Sequence, residues 1–393
     1  MADRSKRRRG QGEGSLYQRS SDGMWCAMIE LPPGPDGNRR RKMIVRKAKG
    51  KAIEALREMQ DDLAKRGDLV TYSGTLGEWL DYWLDNISAR RNSPGTVVNQ
   101  RGHIDNWIKP AIGRRPMSKL GPDHVREVHR AIEKGSDSTT LGWAVHTTLA
   151  KALKDAYREQ RIRSNPCDVV DRPRVVTKTQ KALTLEQAVR LLQILSERPD
   201  GALWATYLLT GARRGEILGL EAERIGSVLD ISWQLQYVKD VTKARADYEC
   251  RHVEGSLYLT RLKTKKPRVV PLVEPLRSIL ARHLNGRTEG LVFTGPDGGA
   301  LGPDKVTARW KDLLAEASLP TDVVLHGTRH TTVDLLRAAK VPLEITQEIV
   351  GHSSRAMTEH YLSPGNLPIL TEAMEKMSAL ISLPPNPQPE VES

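Results

Sequence analysis

Thr210-Gly211-Ala212-Arg213-Arg214-Gly215-Glu216 follows directly on an apolar run, Ala202 to Leu209. The run predicts a buried helix, Thr-Gly a stop, and the residues after it the start of a second helix with Arg213 at its mouth. A guanidinium there adds its charge to the positive end of the helix dipole, and the two together favour an anion. The segment is no P-loop, because no Gly-Lys-Ser/Thr follows. Arg213 taken alone would as readily be one half of a surface ion pair.

Four further pieces lie downstream in order: Lys263-Thr264-Lys265, His326-Gly327-Thr328-Arg329, Gly351-His352 and Tyr361. Cutting a DNA phosphodiester without a metal needs a nucleophile for phosphorus, two cations for the non-bridging oxygens, and groups to handle protons. A side-chain nucleophile also keeps the bond energy in a covalent intermediate, so that a strand is rejoined without ATP. The set supplies each part. His326 and Arg329 stand three apart in a helical stretch and so project from one face. Gly351 reads as a helix C-cap, which puts His352 on a turn, and Tyr361 falls in a short helical run, Ala356 to Leu362. A metal cluster of His326, His330, His352 and His360 is the bland alternative, but no nearby carboxylate completes a zinc-protease pattern and an arginine inside the site would repel the ion. No cofactor and no metal are expected. Tyr361 alone would more often be packing.

The rest of the chain also points to an anionic partner. Its 393 residues carry 61 Lys+Arg against 48 Asp+Glu, a formal +13. Arg outnumbers Lys 39 to 22, and Arg is the better shaped to fork onto a phosphate. Such a balance suggests nucleic acid first and an anionic membrane surface second. With 38% hydrophobic and 28% charged residues, the chain reads as soluble, with room for two or three domains. No apolar run approaches the roughly 18 residues needed to span a bilayer. Met1 to Arg9 lacks the apolar stretch of a secretory signal. Cys26, Cys167 and Cys250 lie far apart and form neither a disulfide framework nor a zinc site. A reduced, cytoplasmic protein with no membrane partner is predicted.

Residues 1–13 are basic and Gly-rich, with nothing to pack, and predict a disordered tail. Within 14–72, two strand-like runs (14–19 and 24–30) flank Ser21-Asp22-Gly23, a third follows at 39–45, and a helix runs from Lys51 to Lys65. Residues 1–72 hold 17 Lys/Arg against 10 Asp/Glu. A charge run is usually a solvated face, but here it lies on a small sheet beside Tyr17 and Trp25, which favours DNA binding. Residues 75–170 are helical throughout, with apolar faces such as Leu76, Trp79, Leu80 and Trp83 that read as core. A basic linker, 171–181, leads to a last domain, 182–383, opened by the capping box Thr184-Leu185-Glu186-Gln187. Strands are expected at 227–238, 257–262 and 268–272, with a surface insertion at 240–256 and only helix after Asp304. The apolar stripe from Ile369 to Ile381 is either ordinary core or a helix for a neighbouring subunit. Residues 384–393 are a predicted disordered tail.

On these motifs the chain resembles the tyrosine recombinases of the phage integrase family. The family's catalytic set maps onto Arg213, Lys263, His326, Arg329, His352 and Tyr361, all in order over about 150 residues. The 240–256 run departs from the family's compact sheet and leaves Lys265 and Lys266 as alternatives to Lys263. The resemblance implies a multidomain α+β fold: an arm-type DNA-binding module of three strands and a helix at 14–72, a helical, SAM-like core-binding domain at 75–170, and a mainly helical catalytic domain with a small antiparallel sheet. It implies a site-specific DNA recombinase, an integrase of a temperate phage or mobile element, in which Tyr361 forms a 3′-phosphotyrosyl link. Arg213 and Arg329 would clamp the phosphate, His352 help bind it, Lys263 act as general acid, and His326 assist proton transfer. The implied partners are double-stranded core and arm attachment sites, three more copies in a tetramer that passes through a Holliday junction, and, where the element requires them, a host DNA-bending protein and an excisionase. A chromosome-dimer resolvase, a type IB topoisomerase-like enzyme and a DNA-binding regulator without catalysis are the rivals.

Overall fold

The computed structural model describes residues 14–33, 38–66, 74–176, 180–242, 244–262, 268–351 and 367–381. The two tails expected to be disordered lie outside them, as do Lys263, Lys265, Lys266, His352 and Tyr361. The chain divides into two units, one of residues 1–84 and 100–175, the other of residues 85–99 and 176–393.

The first unit begins with strands β1 (Ser15–Gln18), β2 (Trp25–Leu31) and β3 (Arg40–Arg46), antiparallel in that order, with Cys26 opposite both Tyr17 and Val45. Asp22 and Gly23 make the first turn: the Asp22 carboxylate accepts from the Met24 N–H at 3.1 Å, and Gly23 takes a φ of 68°,. Ala27, Ile29 and Leu31 alternate onto the face covered by helix α1 (Lys49–Arg66), whose Ala52 and Met59 complete a small core,. Arg41 and Arg46 stay exposed on the sheet, as does Arg39 just before it.

The helical stretch beyond holds α2 (Leu76–Tyr82), α3 (Ala89–Arg91), α4 (Pro94–His103), α5 (Lys109–Ile112), α6 (Pro122–Gly135) and α7 (Thr139–Arg158), with residues 85–99 belonging to the second unit. Thr75 and Glu78 close a capping box at the start of α2,. The Trp79 indole N–H donates to the Ala152 carbonyl at 3.0 Å, and that of Trp83 to Asp155 at 2.9 Å, which fastens α2 to α7. Leu76, Trp79, Leu80, Val125, Val128 and Ile132 are all buried, as their helical spacing predicts.

In the second unit Thr184 and Gln187 form the expected capping box on α8 (Leu185–Ser196). Helix α9 (Gly201–Thr210) is buried along its whole length and is followed by the short α10 (Arg214–Leu218). Among the described residues two small antiparallel sheets then form where one was expected. Strand β4 (Val228–Asp230) pairs with β8 (Val269–Pro271), while β5 (Trp233–Tyr237), β6 (Cys250–Glu254) and β7 (Leu257–Arg261) lie in the order β5-β7-β6. The expected strand 227–238 therefore breaks at Ile231-Ser232. The 240–256 run is only in part an insertion, because its second half is β6. That edge strand carries polar residues on both faces and only Val253 packs on the core, so no apolar alternation betrays it,. Pairing to β7 holds it, and so does Arg251, which donates to Glu221 at 2.6 Å and lies 4.4 Å above the Trp233 ring,.

Among the described residues, helices α11 (Leu276–Leu284), α12 (Pro303–Glu316), α13 (Gly327–Ala338), α14 (Leu343–Val350) and α15 (Leu367–Leu380) follow. Leu370, Ala373, Met374, Met377 and Ile381 share one core with α9 and α13, so the C-terminal stripe is ordinary core here; Ile369 and Leu380 remain exposed. Two threonines of α13 fix its place. Thr332 donates to the Leu208 carbonyl at 2.8 Å, and Thr331 accepts from the Leu183 N–H at 2.9 Å. No described helix is long and apolar enough to cross a membrane.

Candidate active site

Helix ends converge at one place in the second unit. Helix α9 stops at Gly211, whose φ of 57° suits glycine and whose missing side chain is also required: a Cβ there would lie 3.0 Å from both Thr332 Oγ1 and Val350 Cγ1,. Two residues on, Arg213 is the N-cap of α10. Its backbone N–H donates to Glu216 Oε2 at 2.8 Å and its Nη1 to Glu216 Oε1 at 2.7 Å, so one buried carboxylate caps the helix and braces the guanidinium,. Arg213 Nη2 donates to the Gly351 carbonyl at 3.1 Å, at the C-terminal end of α14. The Arg213 side chain is 47% exposed while Glu216 is 1% exposed. The cation therefore faces solvent and its support does not.

His326 is the N-cap of α13, with its side chain exposed and its ring edge-to-face on His330 at 5.7 Å. Arg329 lies one turn further on, 2% exposed, and donates from Nη1 to the Gly211 carbonyl at 2.8 Å. The structure brings His326 and Arg329 near Arg213, whose charge acts on both. Lys263, His352 and Tyr361 lie outside the described residues; in the chain Lys263 follows directly on Leu262, and His352 on Gly351. Gly351 is the left-handed C-cap expected of it, with a φ of 72°,.

Sequence reading passed over two members of the cluster. Glu216 carried a signal, since a Glu at the third position of a helix is the reciprocal half of a capping box. Arg268 carried none, because one more cation beside Lys263, Lys265 and Lys266 looks like more of the same solvated charge. It is instead buried just before β8, and its Nη1 donates to Glu216 Oε2 at 2.7 Å.

Two guanidiniums, those of Arg213 and Arg268, thus share the Glu216 carboxylate, Arg329 bonds to the turn beside them, and the charges act on one another. Burial, then the like charges of Arg268 and Arg213, pull Arg329 down to about 9 against the opposing pull of Glu216,. Burial brings Arg268 down to about 10. Burial pushes the Glu216 carboxyl up, but Arg268 and Arg213 outweigh it and hold the group below the usual carboxylate range. Partial burial lowers His326, and the charges of Arg329, His330 and Arg213 lower it further, so the ring favours its neutral form. Among the described residues no three His, Cys, Asp or Glu side chains gather as metal ligands. An anion is what this surplus of positive charge suits.

Residues 181–365 match the phage integrase family, and residues 75–131 match the phage integrase N-terminal SAM-like domain. The chain belongs to the phage integrase, or tyrosine recombinase, family and is an integrase-type site-specific recombinase, an enzyme that cleaves and rejoins DNA. It is 24% identical to an integrase of Saccharopolyspora erythraea, over 92% of this chain and 95% of that protein. An integrase of Streptomyces ambofaciens is 26% identical, over 96% of this chain and 99% of its own length. The fold resembles that of a lambda integrase tetramer bound to a Holliday junction, with a TM-score of 0.56 and 16% identity over 87% of this chain and 96% of that one.

Proposed function

We propose that the protein integrates the DNA of a phage or mobile element through a covalent phosphotyrosyl intermediate, with Tyr361 as the nucleophile. The Tyr361 phenol oxygen attacks the scissile phosphorus as the bond from phosphorus to the 5′-oxygen breaks, which leaves a 3′-phosphotyrosyl link and a free 5′-hydroxyl. A 5′-hydroxyl from the partner duplex then attacks the phosphotyrosine and releases the phenol, so strand exchange conserves the number of phosphodiester bonds. Arg213 and Arg329 hold the non-bridging oxygens, His352 adds a donor, Lys263 protonates the departing 5′-oxygen, and His326 assists transfer of the phenol proton.

The observation that carries this reading is the pair of guanidiniums, Arg213 and Arg268, on the Glu216 carboxylate with the buried Arg329 on the adjoining turn, and with the Arg213 side chain turned to solvent. Charge of this kind, fixed before the substrate arrives, stabilises a phosphorane-like transition state at no cost in reorganisation. A domain plan of 14–72 for arm sites, 75–170 for core sites, 171–181 as linker and 182–383 for catalysis is supported by the two family matches and by the basic three-stranded sheet. Likeness to two integrases over nearly their whole lengths favours an integrase over a chromosome-dimer resolvase or a nicking–closing enzyme. A tetramer on paired core sites, working through a Holliday junction, is supported by the lambda integrase assembly. A host DNA-bending protein and an excisionase belong to the same reading, and the work is done in the bacterial cytoplasm.

Tyr361→Phe tests the nucleophile. The variant should bind a nicked suicide substrate as tightly as the wild type and form no covalent complex, as scored on a denaturing gel. Adducts at wild-type levels would remove Tyr361 from its role.

A further inference from the structure

We infer that Arg268 is a positioning residue that sets the Arg213 guanidinium by gripping both of its supports, the Glu216 carboxylate and the C-terminal end of α14. The inference rests on the proposed role of Arg213 as a phosphate clamp and adds to it a buried residue that never touches DNA.

Every nitrogen of the Arg268 fork is engaged. Nη1 donates to Glu216 Oε2 at 2.7 Å, Nε to the Ile349 carbonyl at 3.0 Å, and Nη2 to the Thr210 carbonyl at 3.1 Å as well as to Ile349. These acceptors are the ones that locate Arg213. Glu216 Oε2 also accepts from the Arg213 N–H at 2.8 Å, and Thr210 is the last residue of α9 before the turn that carries Arg213. At the end of α14 the two arginines divide the free carbonyls, Ile349 to Arg268 and Gly351 to Arg213 at 3.1 Å,. A shift of either support would therefore carry the clamp with it.

Gly351 fits the same plan. Besides its φ of 72°, it leaves room for the guanidinium to lie against its backbone, since a Cβ there would come within 2.8 Å of Arg268 Cδ. A lysine could reach one of these partners but has no planar fork to bind three. Stability alone explains the residue poorly. The Arg268 side chain is 8% exposed, and a buried ion pair is often matched or bettered by apolar residues of like volume. What such residues could not do is hold a carboxylate and two carbonyls in register beneath a half-exposed cation.

The test compares Arg268→Lys, Arg213→Ala and the wild-type full chain in single-turnover cleavage of suicide DNA. Each is run with an ordinary phosphate and with a neutral methylphosphonate at the scissile position. Removing one negative charge from the substrate lessens the need for a guanidinium clamp, so Arg213→Ala should lose most of its defect on the methylphosphonate. If Arg268 acts through that clamp, Arg268→Lys should cleave the phosphate about a hundredfold more slowly, bind DNA normally, and regain most of its rate on the methylphosphonate in parallel with Arg213→Ala. A fault in folding would slow both substrates alike. Equal slowing on both, with Arg213→Ala rescued, overturns the positioning role and leaves the clamp standing; so does a wild-type rate for Arg268→Lys. Failure to rescue Arg213→Ala overturns the clamp itself. If circular dichroism shows Arg268→Lys unfolded, Glu216→Gln replaces it, because it removes the charge the two arginines share at constant volume. Its defect must shrink on the methylphosphonate for the inference to hold, and equal slowing on both substrates overturns it.

Discussion

Replacing Arg329 with methionine should make the free protein more stable and the enzyme inactive. Arg329 is 2% exposed, and burial together with Arg268 and Arg213 brings it down to about 9. A base whose folded value lies below its unfolded value weakens the fold. Below about pH 9 both states are protonated, so the penalty is complete at neutral pH; it is relieved only as the pH climbs through about 9 toward the ordinary arginine range, where the folded state binds fewer protons,. At about 1.4 kcal/mol per pH unit, the gap from about 9 to the ordinary 12.5 corresponds to roughly 5 kcal/mol,. The bond from Nη1 to the Gly211 carbonyl offsets about 1.5–3 kcal/mol of it,. Methionine fills a similar length without a charge. The free protein should gain about 2–3 kcal/mol, in line with the replacement of other buried ions by apolar side chains.

For a unit of this size a gain of that order raises Tm by roughly 4–12 °C. Differential scanning calorimetry of the full chain, read at the transition that contains the second unit, measures it. Cleavage of a suicide substrate should fall by about two to three orders of magnitude with the loss of a fixed donor to the transition state. A Tm below that of the wild type would refute the reasoning, because it would make Arg329 a contributor to the fold whose charge is adequately compensated.

A protein starting at Thr75 should still cleave core sites but lose integration into a full attachment site, and its DNA binding should depend less steeply on salt because fewer phosphates are neutralised. Full integration by the truncated form would give the basic sheet some other task. Since His326 is held below its ordinary value, the acid limb of the cleavage rate should fall below pH 6.5, the ordinary histidine value. In Glu216→Gln, which lacks the carboxylate that opposes this lowering, the limb should move lower still, and a limb that moved up would contradict the assignment. Lys263→Ala should slow cleavage by about two to four orders of magnitude. A bridging 5′-sulfur should rescue it and not Arg213→Ala, because a thiolate leaves with little protonation; rescue of Lys265→Ala or Lys266→Ala instead would move the acid along the turn.

The residues proposed to touch the phosphate were legible in the sequence, and those beneath them were not. Arg213, His326 and Arg329 stand out because few side chains can clamp a phosphate or move a proton, and because each falls at a helix start or stop that Thr-Gly or a helical spacing marks. The helices of 75–170, the capping box at Thr184 and the cap at Gly351 were legible for the same local reason. Strand β6 was not, since an edge strand with polar residues on both faces has no periodicity to read.

The bonds that assemble the site join residues remote in sequence. Arg268 reaches Ile349 across 81 positions, Arg329 reaches Gly211 across 118, and Arg213 reaches Gly351 across 138. No local pattern encodes such a partner, and the acceptors are backbone carbonyls, to whose side-chain identity the bond is indifferent. The carbonyls are free only because α9 and α14 end at left-handed glycines, Gly211 and Gly351, beside the arginines,. Those glycines, visible in the sequence only as helix stops, thus also expose the acceptors on which the cationic site is built. A substitution at either glycine that kept the turn but moved the carbonyls should therefore damage the clamp before it damages the fold.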